Sequence, residues 1–205
     1  MRRNTESLIL PRDFYYQPVQ TVARALLGMK LVRRINGKNL AGVITETEAY
    51  DGEHDLACHA RSGRTTRNEV MYGQSGHAYV YFTYGMHWML NCVTGEEGYP
   101  SAALIRAILP IVGQDIIGAN RKGVKEPQWC NGPAKMTRAL SITGDFNGAD
   151  LCDPKSNLVI CEGTKFMDEQ VSITPRIGIQ NTPEPWLSKP WRYLVNYPQF
   201  TGNEI

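Results

Sequence analysis

The residues best equipped for chemistry lie in VITETEAYDGEHDLACH, positions 43–59. Glu46 and Glu48 precede Tyr50, and His59 follows nine residues after the tyrosine. Residues 43–50 alternate in type as a strand does. Period two then puts Ile44, Glu46, Glu48 and Tyr50 on one face and Val43, Thr45, Thr47 and Ala49 on the other. Two carboxylates and a ring on one face do not build a core, because buried charge needs a partner or a task. A carboxylate beside a flat ring, with a histidine further along, suits acid–base chemistry next to a stacking platform. The competing reading is an exposed edge strand whose glutamates are simply solvated.

Three other stretches carry chemistry-bearing side chains. RSGRTTR places Arg61, Arg64 and Arg67 three residues apart with hydroxyls between them. Fork donors and small hydroxyls in a loop suit phosphate oxygens, although such a loop can also serve solubility alone. AYVYFTYGMHWMLNC (78–92) is the most aromatic part of the chain and reads as two strands around a turn at 83–86. Tyr79 and Trp88 fit a β core there, whereas Tyr84 at the turn tip is placed to push between stacked bases. In SAALIRAI (101–108), Arg106 interrupts an apolar strand, which implies a wet strand end or a pairing with Glu48 or Glu46.

These residues need elements to hold them. Residues 11–17 read as a short helical turn, and 21–27 as a helix capped by Thr21 and closed by Gly28. Residues 30–35 and 39–50 form a hairpin through Asn36-Gly37, a type I′ signal that fixes the register of Glu48 and Tyr50. Residues 51–76 read as irregular. A helix is expected at 113–120, then a basic loop at 121–125. A second helix at 133–140 has Asn131 as N-cap, and Lys135 and Arg138 lie on its exposed side. Its first-turn N–H groups, with Lys135, could take a phosphate. Strands are expected at 157–161, 171–177 and 191–195.

The 205 residues, 42% hydrophobic and 20% charged, fit one globular domain (10–205) behind a loose arm (1–9). No apolar run approaches the ~18 residues of a membrane span, and the N-terminus lacks a signal-peptide core, so a cytoplasmic protein without a membrane partner is expected. The five cysteines are odd in number and contain no C-x-x-C pair. That argues against zinc and against a disulfide framework, and no metal is expected. A net charge of +2 neither demands nor excludes nucleic acid.

Taken in order, ETEAY, the histidine nine residues on, RTTRN, YVYFTYGM and NGPAKM closely resemble the alkyladenine DNA glycosylases, also called methylpurine or 3-methyladenine DNA glycosylases. The resemblance runs from about residue 12 to 195. It implies an α+β fold, a single compact mixed domain with a curved antiparallel β-sheet, flanking helices and a protruding hairpin. It further implies a monomer acting on double-stranded DNA that contains damaged purines, nucleoid-associated if bacterial, with no cofactor. Residue by residue, Glu48 falls where the family places its water-activating base. Tyr50 and Tyr81 fall on the rings that sandwich the flipped base, and His59 completes the pocket. Tyr84 falls on the ring that fills the gap left in the duplex, and Asn91 on the asparagine that checks the base's edge. Arg106 falls on the arginine that helps hold the water, as does the backbone of Ile177. The implied substrates are 3-methyladenine, 7-methylguanine, hypoxanthine and ethenoadenine, hydrolysed to an abasic site. The strand 43–50 contains no lysine, so a Schiff-base nucleophile is not expected and the enzyme should be monofunctional. The combination Glu53, His54 and Cys58 receives no role from the resemblance.

Two other classes compete. A carbohydrate glycosidase would use Glu46 and Glu48, whose Cα atoms on an ideal strand lie about 6.6–6.8 Å apart. A non-catalytic binder of damaged DNA would keep Tyr84 and the arginines but have no use for Glu48.

Overall fold

A computed structural model describes residues 9–195. The described strands, in chain order, are β1 (Lys30–Ile35), β2 (Lys38–Asp51), β3 (Ala78–Thr83), β4 (His87–Thr94), β5 (Ser101–Val112), β6 (Leu158–Cys161), β7 (Val171–Thr174) and β8 (Arg192–Val195). The helices are short: α1 (Arg12–Tyr15), α2 (Val19–Ala25), α3 (Gln114–Asn120) and α4 (Pro133–Ala139). All strand pairings are antiparallel, in the order β3-β4-β5-β2-β1-β6, with β7 and β8 attached through β2. The result is one compact α+β domain.

The sheet is organised by β2. Asn36 and Gly37, at φ +49° and +75°, form the expected type I′ turn, and β1 pairs with residues 38–43. Beyond that point the same edge of β2 accepts β8 at residues 46–48, while β5 runs along the other edge. Three register shifts lie between β2 and β5, the first at Ala41/Gly42, where Ile111 is extra. Ile44 pairs with Ile108 and Glu46 with Ala107, which leaves Thr45 extra; Thr47 then pairs with Ile105, which leaves Arg106 extra. A bulge frees its residue from the ladder and re-aims the side chain.

The bulge corrects the expected face of Ile44. Ile44 is fully buried in the main core, whereas Glu48 and Tyr50 point to the opposite face, because Thr45 breaks the alternation between them. At the end of β2 and along β3, β4 and β5 period two holds. Ala49, Ala78, Val80, Leu90, Cys92, Ala103 and Ile105 join the core, onto which α2 and α4 pack through residues such as Leu26, Met136 and Leu140. The alternate residues form the other face. There a smaller cluster of Cys58, Ala60, Met71, Tyr72, Val93 and Ala102 supports a cleft.

Several boundaries differ from expectation. α2 begins at Val19, two residues before Thr21, with Pro18 at its N-cap; Pro18 fixes φ near helical values and has no N–H to satisfy. Gly28 does end this segment. Its φ is +89°, and a β-carbon there would fall 1.7 Å from the Thr164 carbonyl oxygen. α4 is capped by Gly132; Asn131 instead accepts a hydrogen bond from Lys135 Nζ at 2.8 Å. β7 stops at Thr174 because Pro175 lacks a ladder donor. Residues 51–76 contain two 3-10 turns, His59–Ser62 and Glu69–Tyr72. The expected arm lies outside the described residues except for Ile9, which bridges to Cys161. Among the described residues no helix is long and apolar enough to cross a membrane.

Candidate active site

Glu48 is completely buried, opposite Leu104 of β5 and Arg192 of β8. A carboxylate at that depth requires partners, and it has three. The Ile177 N–H donates to Oε1 at 2.7 Å, the Tyr50 hydroxyl donates to Oε2 at 2.9 Å, and Arg106 Nη1 lies 3.2 Å from Oε2. Burial raises the Glu48 pKa from the ordinary glutamate value. Arg106 opposes the rise, then the Ile177 N–H and the Tyr50 hydroxyl, while Glu46 adds to it. Arg106, expected to pair with one carboxylate or the other, pairs with both, its Nε donating to Glu46 Oε1 at 2.7 Å. Arg192 Nε donates to that same oxygen at 2.6 Å. Glu46 is therefore engaged by two guanidinium groups and does not line the cleft, so a pair of carboxylates flanking a sugar is not built here.

The cleft, about 290 Å³, lies in front of this group and is near the lower end of the ~300–1,000 Å³ usual for small-ligand sites. It gathers Tyr50, His59, Tyr81, Tyr84, Asn91, Arg106 and Ile177. Glu48 sits behind the wall that Tyr50, Arg106 and Ile177 make. The strands explain the gathering: Tyr79 and Tyr81 on β3, Met89 and Asn91 on β4, and Ala102, Leu104 and Arg106 on β5 are alternate residues facing one side. Asn91 is buried, and its Nδ2 donates to the Tyr79 carbonyl at 3.0 Å.

His59 meets Tyr81 edge-on, with ring centroids 4.4 Å apart and planes at 73°. Its Nδ1 lies 2.9 Å from the Tyr79 hydroxyl. Burial, then Arg67 and Arg61, push the His59 pKa down to about 4, so the ring is neutral near pH 7. Tyr79, assigned from sequence to the core, is indeed buried but also orients this histidine.

Sequence reasoning missed the pair that ties the site together. Arg176 and Asp55 are fully buried and bonded twice, at 2.5 and 2.9 Å. Arg176 also donates to the Ala49 carbonyl at 2.9 Å and lies 4.8 Å from the Tyr50 ring centre. Asp55 accepts from the backbone N–H groups of Asp51 and Ala57. One ion pair thus joins β2, the loop that carries His59, and the loop that presents the Ile177 N–H. The residues are 121 apart, and no local pattern signals the pairing. The stretch after Tyr50 also acquires a structural account. Glu53 accepts from the Tyr72 hydroxyl at 2.7 Å, His54 packs edge-on to Trp186, and Cys58 caps the first 3-10 turn through Sγ.

The basic loop is stapled from within by buried Asn68, which donates to the His59 and Gly63 carbonyls and accepts from the Thr65 N–H. Arg61 donates to the Leu56 carbonyl and Arg67 to the Phe82 carbonyl. Arg64 forms an exposed ion pair with Glu69. The hairpin tip projects beside the cleft: Tyr84 is 78% exposed at φ +52°, next to Met86 at 67%. Among the described residues, no three His, Cys, Asp or Glu side chains gather as a metal set.

A buried, hydrogen-bonded carboxylate behind a ring-lined cleft is a candidate acid–base site, and comparison with known proteins places it among hydrolases that cleave N-glycosyl bonds and carries that class to a family. The methylpurine-DNA glycosylase profile matches residues 13–199. The chain is 48% identical over 186 residues to a protein of Methanocella arvoryzae, covering 90% of this chain and 91% of the relative. A Carboxydothermus hydrogenoformans protein is 51% identical over 172 residues (84% and 89%), and one from Chlamydia felis 42% over 192 residues (92% and 96%). All three are assigned by name as 3-methyladenine DNA glycosylases. The chain belongs to the methylpurine-DNA glycosylase family, enzymes of DNA repair whose substrate is DNA.

Proposed function

We propose that the enzyme is a monomeric, monofunctional glycosylase that extrudes alkylated or deaminated purines from duplex DNA. Its substrates are 3-methyladenine, 7-methylguanine, hypoxanthine and ethenoadenine, and its product is an abasic site. The observation that carries this reading is the Glu48 carboxylate, fixed by Arg106, Tyr50 and the Ile177 N–H, directly behind a cleft that has an exposed ring at its rim. A purine inside the stack is out of reach, so it must be extruded at a cost of a few kcal/mol. Tyr84 offsets that cost by filling the vacated space, and Arg61, Arg64, Arg67 and Lys135 hold phosphates. Tyr50 and Tyr81 stack on the base, each contributing roughly 1–3 kcal/mol on the scale for base–aromatic contacts. His59 and Asn91 border its edge.

Glu48 then takes a proton from the attacking water and stabilises the positive charge that grows at C1′. Its raised pKa makes it a better base than a surface glutamate, while Arg106 favours its ionised form. Three bonds reach its two oxygens, which leaves acceptor capacity for a water that enters between Tyr50, Arg106 and Ile177. The test is incubation of a duplex carrying one hypoxanthine, read for free base and for an abasic site. Release by the wild type and none by Glu48→Gln is expected. Tight binding without release would make the protein a damage sensor, and cleavage of the strand itself would contradict the monofunctional assignment.

A further inference from the structure

We propose that Glu46 and Arg192 are positioning residues, which set the working state of Glu48 through Arg106. This rests on the reading of Glu48 as the water-activating base. The four side chains alternate in charge along one line: Arg192 to Glu46 at 2.6 Å, Glu46 to Arg106 at 2.7 Å, and Arg106 to Glu48 at 3.2 Å. Exposure falls along the same line, from 18% at Arg192 through 15% and 11% to 0% at Glu48. Only Glu48 is fully closed to solvent, and the four charges cancel when all are ionised.

The geometry makes Glu46 more than a neighbour. A guanidinium is planar, so seating Arg106 Nε on Glu46 fixes the direction of its Nη1, the atom that faces Glu48. Arg106 is the unpaired residue of a bulge, and its side chain needs such an outside anchor. Arg192 places the anchor in turn. Its Nε shares the Glu46 oxygen with Arg106, and its Nη1 donates to Thr174 Oγ1 at 3.0 Å, which docks β7 and β8 against β2.

The groups facing Glu48 are Glu46 and Tyr50 on β2, Arg106 on β5, Tyr81 on β3 and the Ile177 N–H; those facing Glu46 are Arg106 and Arg192. The two substitutions therefore act with opposite sign. Glu46→Gln keeps an acceptor oxygen for both arginines but removes a negative charge near Glu48, which then ionises more easily. Arg192→Gln removes the charge that neutralises Glu46, so Glu48 ionises less easily. A salt bridge that served only the fold would move both variants the same way, or neither.

The experiment is single-turnover release of 7-methylguanine from a duplex, followed across the acidic and neutral range. That base is already cationic, so its departure needs no added proton. The acid limb is expected to move down by about one pH unit in Glu46→Gln, the lower end of the effect of a nearby charge. It should move up by a smaller step in Arg192→Gln and return towards the wild type in Arg192→Lys, which restores the charge. Limbs that stay put or shift in the same direction, with Glu48→Gln inactive, would overturn this proposal and leave Glu48 as the base. A Glu48→Gln enzyme that releases base at the wild-type rate would overturn both.

Discussion

Tyr84 separates a structural ring from a functional one, because its cost and contribution to the fold can both be worked out. The residue is 78% exposed, so about a fifth of it is covered. A tyrosine can bury roughly 200 Å², so this contact hides ~40 Å². At ~25 cal/mol per Å² it stabilises the fold by about 1 kcal/mol. Against that, Tyr84 sits at φ +52°, a left-handed conformation that costs a residue with a β-carbon roughly 1–2 kcal/mol. Tyr84→Gly removes both terms and adds the chain entropy of glycine, about 0.4–1 kcal/mol. The net change should lie within about 1 kcal/mol, or some 2–4 °C in melting temperature for a chain of this size.

Excision should behave differently. If the ring replaces the extruded base in the stack, its loss costs the flipped state roughly 1–3 kcal/mol, about 5- to 150-fold in single-turnover rate. The loss should be larger for hypoxanthine opposite cytosine, which pairs well, than opposite thymine, where extrusion is easier. The assay is thermal melting beside single-turnover release from both duplexes. A drop in stability of several kcal/mol, as for a core deletion, with release unchanged in the folded fraction, would refute the reasoning. So would equal losses on the two duplexes.

Glu48→Gln should abolish base release while leaving lesion binding within roughly tenfold, since it removes the proton acceptor and keeps the shape; single-turnover kinetics and a binding titration check both halves. Arg64 is paired with Glu69 in the free protein, so Glu69→Gln should free its charge, tighten duplex binding and steepen the slope of log K against log salt; an unchanged slope would remove Arg64 from the phosphate contacts. Arg176→Met strands the buried Asp55 carboxylate and should cost about 3–5 kcal/mol by chemical denaturation, with Asp55→Leu added to it recovering part of the loss. His59 should stay neutral until the pH falls to about 4, as followed by its ring resonances. Because the unfolded chain takes up that proton near 6.5, the histidine's contribution to stability is full above that value and is lost as the pH falls towards 4.

Much of this was legible because local rules governed it. Asn36-Gly37 fixed the hairpin that carries Glu48, and the apolar run interrupted by Arg106 pointed to an ion pair with Glu46 or Glu48. Period two along β3, β4 and β5 sorts the cleft residues from the core residues without knowledge of the partners. What stayed hidden depends on chain segments that meet only in the fold. Arg176 and Asp55 are separated by 121 positions, and Arg192 reaches Glu46 across 146. Neither arginine looks different in sequence from a solvated one.

Ile44 shows why one such contact also spoiled a local inference. Strict alternation assigns it to the face of Glu48, and it is in the core. The reason is that β2 changes partners there, from β1 at residues 38–43 to β8 at 46–48, and Thr45 takes up the mismatch as a bulge. The compensating bulge on β5 falls at Arg106, the residue that must reach both carboxylates. A regular ladder would have bound Arg106 by its backbone to β2 and limited where the guanidinium could point. The irregularity that defeats the periodic reading therefore lies where a side chain is re-aimed to meet both carboxylates.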